Sequence, residues 1–184
     1  MEGRMIWHDQ RLLGLAPGLG ANVHVVNNTS PIANSVTWIS QYAQSKHGLD
    51  RLDILCHGFE CILELDGEQK SVVRGGFGLQ ICNENLTNLN LSMLSRWNGL
   101  IQRIVIYACA AADTHPFNRN AWGDGNLLMS EIAVYTGAYV VASNVTQYYN
   151  YSPIDFGRWE GTVYEYDPGG GRIAISNSDW LLIS

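Results

Sequence analysis

The sequence predicts an α/β fold, with a mostly parallel sheet of about four core strands, helices on both faces and added β-hairpins. Short apolar runs alternate with segments whose apolar residues recur at helical spacing, and three of those segments end at a glycine that leads into the next apolar run. That order is a βαβ series, which forms a parallel sheet. The chain has 184 residues, of which 46% are hydrophobic and 15% are charged, so it can bury the core of a single domain over residues 1–184.

The first half of the chain predicts two strands separated by a helix. Residues 1–22 look irregular because Pro17 and several glycines interrupt them. Residues 23–26 predict the first strand, and Ser30 is suited to cap the helix that follows. The residues that this helix would bury recur at helical spacing and are Ile32, Val36, Ile39 and Ala43. Residues 52–56 predict a second, buried strand.

The second half of the chain repeats this pattern. Thr87 and Asn126 are suited to cap two further helices. Residues 101–108 are apolar apart from Gln102 and Arg103, which predicts a central strand, and residues 139–142 predict a fourth strand. The βαβ core is therefore expected to span about residues 23–146.

Two hairpins and an aromatic loop complete the predicted elements. The turn signal at residues 66–67 predicts a hairpin over residues 60–74, and a C-terminal hairpin extension is expected over about residues 156–180. The loop after the fourth strand carries an aromatic group made of Tyr148, Tyr149, Tyr151, Phe156 and Trp159. This group is interpreted either as the wall of a substrate groove or as cover for the sheet.

Charge and cysteine usage exclude several classes of protein. The net charge of −6 argues against nucleic-acid binding, which requires a basic face. The longest apolar run, residues 104–112, has nine residues, whereas a membrane span needs about 20. The four cysteines are too few for a disulfide scaffold and favour reduced thiols in a cytoplasmic protein. Secretion as an effector, or as a domain of a surface protein, is the alternative location.

Candidate catalytic residues follow the predicted strands at their carboxyl ends, where parallel α/β sheets bind ligands. His57 and Gly58 follow the second strand, and Cys109 follows the third, 52 positions after His57. A thiolate is a nucleophile, and a neighbouring imidazole can take its proton or stabilise the anion. The N–H groups of Gly58 and Cys109 can bind the oxyanion that forms on an attacked carbonyl.

Two short segments resemble the clan CD cysteine peptidases, which include caspases, metacaspases, legumain, gingipains and separase. Residues 52–58, which end in His-Gly, and residues 104–109, which end in Ala-Cys, are similar to the apolar strands that carry the catalytic pair of that clan. Residues 136–143 resemble the strand after the cysteine helix in caspase-like domains of large bacterial surface proteins. The resemblance covers roughly residues 23–146. It implies a caspase-like fold and a self-processing or substrate-cleaving cysteine endopeptidase that acts on protein or peptide.

The substrate pocket is expected to differ from those of the best-known members of that clan. Caspases carry an arginine after the first strand for a substrate aspartate, but residues 27–30 hold no cation. Metacaspases carry an acid two positions before the cysteine, where this chain has Tyr107. A neutral, polar pocket is predicted, with Asp113 and Asp155 as alternative acids. The residues expected to bind substrate are Asn27, Asn28, Thr29, Ser143, Asn144 and Thr146.

Other interpretations remain open at this point. His57 is alternatively a buried structural histidine. Cys56 and Cys61 bracket it and suggest zinc, although strand alternation points Cys56 away from His57. His115 is a rival base for Cys109. The alternatives to a peptidase are an inactive caspase-like binding module and a Cys-His deamidase or transamidase. The resemblance implies no metal or organic cofactor.

Overall fold

The computed structural model describes residues 3–17, 22–65, 70–114 and 123–176. The α-helices are α1 (Ile32–Ser45) and α2 (Gly125–Thr136), and a 3-10 helix spans Leu91–Trp97. The strands, in chain order, are β1 (Arg4–Asp9), β2 (Val23–Val26), β3 (Leu49–Leu55), β4 (His57–Gly58), β5 (Cys61–Leu65), β6 (Lys70–Arg74), β7 (Leu79–Gln80), β8 (Ile101–Tyr107), β9 (Tyr139–Ser143), β10 (Asn150–Tyr151), β11 (Ile154–Asp155), β12 (Val163–Tyr166) and β13 (Arg172–Ile175). No helix within these ranges is long and apolar enough to cross a membrane.

Seven of the strands form one central sheet, in the order β13, β12, β9, β8, β3, β1, β2. The strands from β9 to β2 in that order run parallel, which confirms the expected mostly parallel α/β sheet. The C-terminal hairpin is also confirmed, because β12 and β13 pair antiparallel. Since β12 also pairs antiparallel with β9, this hairpin extends the central sheet. The hairpin predicted over residues 60–74 consists of β5 and β6, and its turn lies outside the described residues.

Strand β1 contradicts the expectation that residues 1–22 are irregular. It lies between β2 and β3 and pairs in parallel with both. Met5, Ile6 and Trp7 are fully buried because they point alternately into the hydrophobic clusters on the two faces of the sheet. The predicted first strand, β2, is therefore an edge strand of the sheet. The segment that lies next to the end of β3 is the one that follows β1, not the one that follows β2.

In the described part of the chain, helices cover only one face of the sheet, which corrects the expectation of helices on both faces. Helices α1 and α2 and the 3-10 helix share a hydrophobic cluster with alternate strand residues such as Ile54 and Ile106. The strand residues between them, such as Leu55 and Val105, belong to a second cluster on the opposite face. Residues from the segments after β1 and β9 close that second cluster, and they are Leu12, Ile154, Phe156 and Trp159.

The helix starts differ in detail from the sequence predictions. Asp124, not Asn126, caps α2 by accepting a hydrogen bond from the Leu127 N–H at 3.1 Å. Ser30 does not cap α1, because its hydroxyl is hydrogen-bonded within a turn to Asn27. The helix predicted after Thr87 is the 3-10 helix, whose buried residues have a spacing of three and are Leu91, Leu94 and Trp97.

Candidate active site

Two adjacent strand ends bring the candidate catalytic pair to the carboxyl edge of the sheet. Leu55 of β3 is paired with Tyr107 of β8, so the residues that follow them continue side by side. Gly58 packs directly on Cys109, because a Cβ atom added to Gly58 would lie only 1.9 Å from the Cys109 carbonyl oxygen. A side chain does not fit there, which explains why this position requires glycine.

The imidazole ring of His57 is oriented by a backbone carbonyl. Its Nε2 atom lies 2.9 Å from the carbonyl oxygen of Arg11, in the segment after β1. A carbonyl oxygen only accepts, so Nε2 donates this hydrogen bond, and Nδ1 carries the lone pair in the neutral ring. The hydrogen bond therefore fixes a tautomer in which Nδ1 is the atom that can take a proton.

Asp9, the last residue of β1, holds the backbone of Arg11 in place. The Asp9 carboxylate is fully buried and accepts from the Arg11 N–H, Nε and Nη2 at 3.0, 2.8 and 2.7 Å. It also accepts from the Cys82 N–H at 2.8 Å, and Arg11 Nη2 donates to the Cys82 carbonyl at 2.7 Å. Burial alone would raise the pKa of Asp9, but the hydrogen bonds and the charge of Arg11 outweigh it and keep that pKa below its ordinary value. The sequence signal for this pair is the short apolar run of β1, residues 5–7, which precedes it.

The thiol of Cys109 is partly buried, and its pKa is raised above the ordinary value. Its Sγ atom lies 3.8 Å from the Gln147 carbonyl oxygen, to which it donates. Burial is the main reason that the pKa of the Cys109 thiol is raised. A hydrogen bond with the Gln147 backbone opposes the shift, and the carboxylates of Glu60 and Glu160 reinforce it. Because the thiolate is the reactive form, this thiol needs a base before it can attack.

The chain turns sharply just after Cys109. Ala110 has a φ of +49°, a left-handed conformation that costs a non-glycine residue about 1–2 kcal/mol. Its N–H donates to the Val145 carbonyl at 2.9 Å. Its methyl group is buried against Gly75, where an added Cβ would lie 2.3 Å away. Strained backbone that its surroundings hold in place is typical of functional sites.

A groove of about 330 Å³ is lined in part by Ala110, the residue that follows Cys109. Its lining residues are Ala110, Asn144, Val145, Thr146, Tyr148 and Glu160. Thr146 Oγ1 donates to Glu60 Oε1 at 2.8 Å, and the Tyr148 N–H donates to Glu160 Oε2 at 3.3 Å. The Glu160 carboxylate therefore belongs to the groove lining, and the Glu60 carboxylate is hydrogen-bonded to a lining residue. No sequence signal singled them out, because they are 100 positions apart and only the fold brings them together.

Of the residues that were expected to bind substrate, the structure places some in the groove and others elsewhere. Asn144 and Thr146 line the groove, as the sequence suggested. Ser143 does not, which corrects that expectation, because its side chain is fully buried. Its hydroxyl donates to the Glu160 carbonyl at 2.6 Å and accepts from Gln147 Nε2 at 3.0 Å. Ser143 therefore holds the loop together beneath the groove.

The expectation that Asn27, Asn28 and Thr29 line the site is also wrong. They follow the edge strand β2, and β1 separates that strand from β3. The Asn27 side chain accepts from the Thr29 N–H and Oγ1 at 2.9 and 2.7 Å, so these residues form a turn of their own. The segment after β1 occupies the position that was assigned to them. It carries Arg11, whereas residues 27–30 hold no cation.

The aromatic group after β9 is divided between the sheet and the groove. Phe156 and Trp159 cover the sheet, since their rings stack on Tyr107 with centroids 5.0 and 4.9 Å away. Tyr148 lines the groove, and its side chain is 71% exposed. Tyr151, which lies in the same segment, is also exposed.

The remaining candidates have other roles or lie outside the described residues. Cys56 belongs to the cluster on the helical face, as strand alternation predicted. His115 and the side chain of Cys61 lie outside the described residues. Asp113 and Asp155 accept from nearby backbone N–H groups, those of Gly75 and Gly157. Within the described ranges, no three His, Cys, Asp or Glu side chains group as metal ligands do.

Comparison with known proteins adds no family to this description. No protein-family model matches the sequence, and no curated protein matches it significantly. A thiol, an imidazole with a fixed tautomer and two closely packed backbone segments are the components that cysteine-dependent acyl transfer requires.

Proposed function

We propose that this protein is a cysteine endopeptidase of the caspase-like, clan CD type, with Cys109 as nucleophile and His57 as its acid–base partner. The observation that carries the proposal is the contact between the two strand ends, where Gly58 packs on the Cys109 peptide. The hydrogen bond from His57 Nε2 to the Arg11 carbonyl supports it, because that bond leaves Nδ1 as the base. The neighbouring parallel strands β3 and β8 support the caspase-like fold.

The proposed reaction begins with deprotonation of a neutral thiol. Because burial raises the pKa of Cys109, His57 Nδ1 takes the proton as Sγ attacks the scissile carbonyl. The N–H groups of Gly58 and Cys109 donate to the oxyanion. The Ala110 N–H is not available for this role, since it is bonded to Val145.

The second half of the reaction restores the enzyme. The protonated His57 donates its Nδ1 proton to the leaving amine as the carbon–nitrogen bond breaks, which leaves a thioester on Cys109. Water then attacks this thioester with His57 as base, and the peptide carboxylate and the free thiol are released. Each proton taken up in one step is returned in the next, so the cycle needs no cofactor.

The test compares Cys109→Ala and His57→Ala with the control Cys56→Ala, whose thiol lies in the helical-face core. A proteome-derived peptide mixture and the chain itself serve as substrates, and mass spectrometry reads the products. Cleavage is expected in the wild type and in Cys56→Ala, and a loss of about 10³-fold or more is expected in the two dyad variants. Undiminished cleavage by Cys109→Ala would refute the proposal. A mass gain of about one dalton on intact peptides would favour deamidation instead.

A further inference from the structure

Carboxylates from two separate segments lie at the groove that Ala110, the residue after Cys109, helps to line: Glu160 is a lining residue, and Glu60 is hydrogen-bonded to the lining residue Thr146. Glu60 comes two residues after the Gly58 that packs on Cys109, and Glu160 comes from the segment before β12. Thr146 donates to one oxygen of Glu60, and the Tyr148 N–H donates to one oxygen of Glu160. Among the residues that the structure describes, the second oxygen of each carboxylate has no hydrogen-bond partner, and neither group forms an ion pair.

The rest of the groove suits a long side chain with a polar end. Val145 and the exposed ring of Tyr148 give it an apolar wall next to Glu160. Lysine and arginine bury their methylene stems on such walls and keep the charged group at a polar end. An exposed tyrosine ring also attracts a guanidinium or an ammonium group.

The charged side chains that act most strongly on the Cys109 thiol are carboxylates. After burial, Glu60 and Glu160 are the charged side chains that contribute most to the raised pKa of Cys109, so both lie within electrostatic reach of its sulfur. The nearby guanidinium of Arg11 is already bound by Asp9 and by the Cys82 carbonyl. A cation in the groove would therefore meet two carboxylates that no other described cation neutralises.

We propose that this groove binds the side chain of a lysine or arginine next to the scissile bond, with Glu60 and Glu160 as the specificity-determining residues. The inference rests on the proposed function for the scissile bond, but the charge preference of the groove can be measured without turnover. It replaces the neutral pocket that the sequence predicted.

The first test measures the charge preference at the thiol itself. Cys109 is alkylated with cationic 2-bromoethylamine, neutral iodoacetamide and anionic iodoacetate, and each rate is divided by the rate of that reagent with free cysteine. The cation-to-anion ratio is expected to be at least about tenfold in the wild type and to fall about threefold to fivefold in each of Glu60→Gln and Glu160→Gln. Glutamine keeps the size and one acceptor oxygen, so both variants should fold. Glu131→Gln on α2, whose carboxylate accepts from Asn88, is the matched control and should keep the wild-type ratio.

The second test uses the peptide mixture with the wild-type protein and the same variants. Lysine or arginine is expected beside most cleaved bonds, and this preference should weaken in Glu60→Gln and Glu160→Gln. Cysteine-dependent cleavage without a basic preference would overturn the groove assignment and leave the peptidase intact. The absence of any Cys109-dependent cleavage would overturn the proposed function, and the alkylation ratios would then decide the charge preference alone. Equal ratios in the wild type and both glutamine variants would overturn the inference.

Discussion

Replacing Asp9 with asparagine tests how the structure holds the His57 ring. Asparagine keeps one acceptor oxygen, which can still accept from the Arg11 N–H and Nε. Its new amide group instead faces two donors, Arg11 Nη2 and the Cys82 N–H, which bond the other carboxylate oxygen in the wild type. Two charge-assisted hydrogen bonds are lost, each worth about 1.5–3 kcal/mol. Because the Arg11 side chain is 26% exposed and can turn to water, we expect the free energy of unfolding to fall by about 3 kcal/mol.

Urea unfolding of Asp9→Asn, with Asp50→Asn as control, measures this loss. Asp50 accepts one long hydrogen bond, from the Gly3 N–H at 3.3 Å, so its variant should lose less than about 1 kcal/mol. The pH dependence supplies a second measure. The folded-state pKa of Asp9 lies below its ordinary value, so its stabilisation is present above about pH 4 and is lost as the pH falls through the folded-state value. Asp9→Asn should therefore lose less stability than the wild type over that acidic range.

The same variant should lower cleavage more than stability alone explains. At a temperature where wild type and variant are both fully folded, a displaced Arg11 carbonyl would release His57 Nε2 and reduce kcat by about 10-fold or more. If Asp9→Asn loses less than about 1 kcal/mol and retains full kcat, Asp9 does not orient His57 through the Arg11 backbone.

Three further outcomes are expected from the packing and electrostatics of the site. Gly58→Ala should abolish cleavage, because its Cβ would lie 1.9 Å from the Cys109 carbonyl oxygen. The control Gly99→Ala has open space around its Cβ but a φ of +74°, so it should keep activity and lose only about 1–2 kcal/mol in urea unfolding. An active Gly58→Ala enzyme would contradict the packing. Trp159→Ala should cost about 3–5 kcal/mol in the same assay, since the ring is 2% exposed, and Tyr148→Ala, which is 71% exposed, should cost less than about 0.5 kcal/mol. Similar losses of stability in the two variants would contradict the assignment of Trp159 to the hydrophobic core and of Tyr148 to the exposed wall of the groove. Iodoacetamide should alkylate Cys109 more slowly than free cysteine at pH 7, with a rate that keeps rising above pH 9, because burial raises the pKa of this thiol. A rate that levels off near neutral pH would mean that the thiol is already ionised.

The sequence predicts those parts of the fold whose signal is local. Apolar runs predict buried strands such as β3 and β8, and His57 and Cys109 follow the ends of those runs. Strand β1 is different, because its apolar run is short and the glycines and Pro17 after it mask the pattern. The order of strands across the sheet has no local signal at all. That is why Asn27, Asn28 and Thr29 were assigned to the position that Arg11 occupies.

The details of the site depend on contacts between distant parts of the chain. Asp9 meets the Cys82 backbone, and Glu60 meets Thr146, across separations that no spacing rule covers. Capping residues show the same limit on a smaller scale. Two polar residues close in sequence, Asp124 and Asn126, both suit a helix start, and only the geometry decides between them.

On the face of the sheet without described helices, one loop segment both completes the hydrophobic core and forms the wall of the groove. This double role limits which substitutions can change specificity without unfolding the protein. The segment that forms the groove wall also supplies Phe156 and Trp159, whose rings stack on Tyr107 in the second hydrophobic cluster. Random changes in that segment will therefore often unfold the protein before they alter what it recognises. We expect substitutions to be tolerated chiefly at positions that face the groove, such as Thr146 and Tyr148. A library that diversifies only those positions should yield folded variants with altered substrate preference far more often than one that diversifies the whole segment.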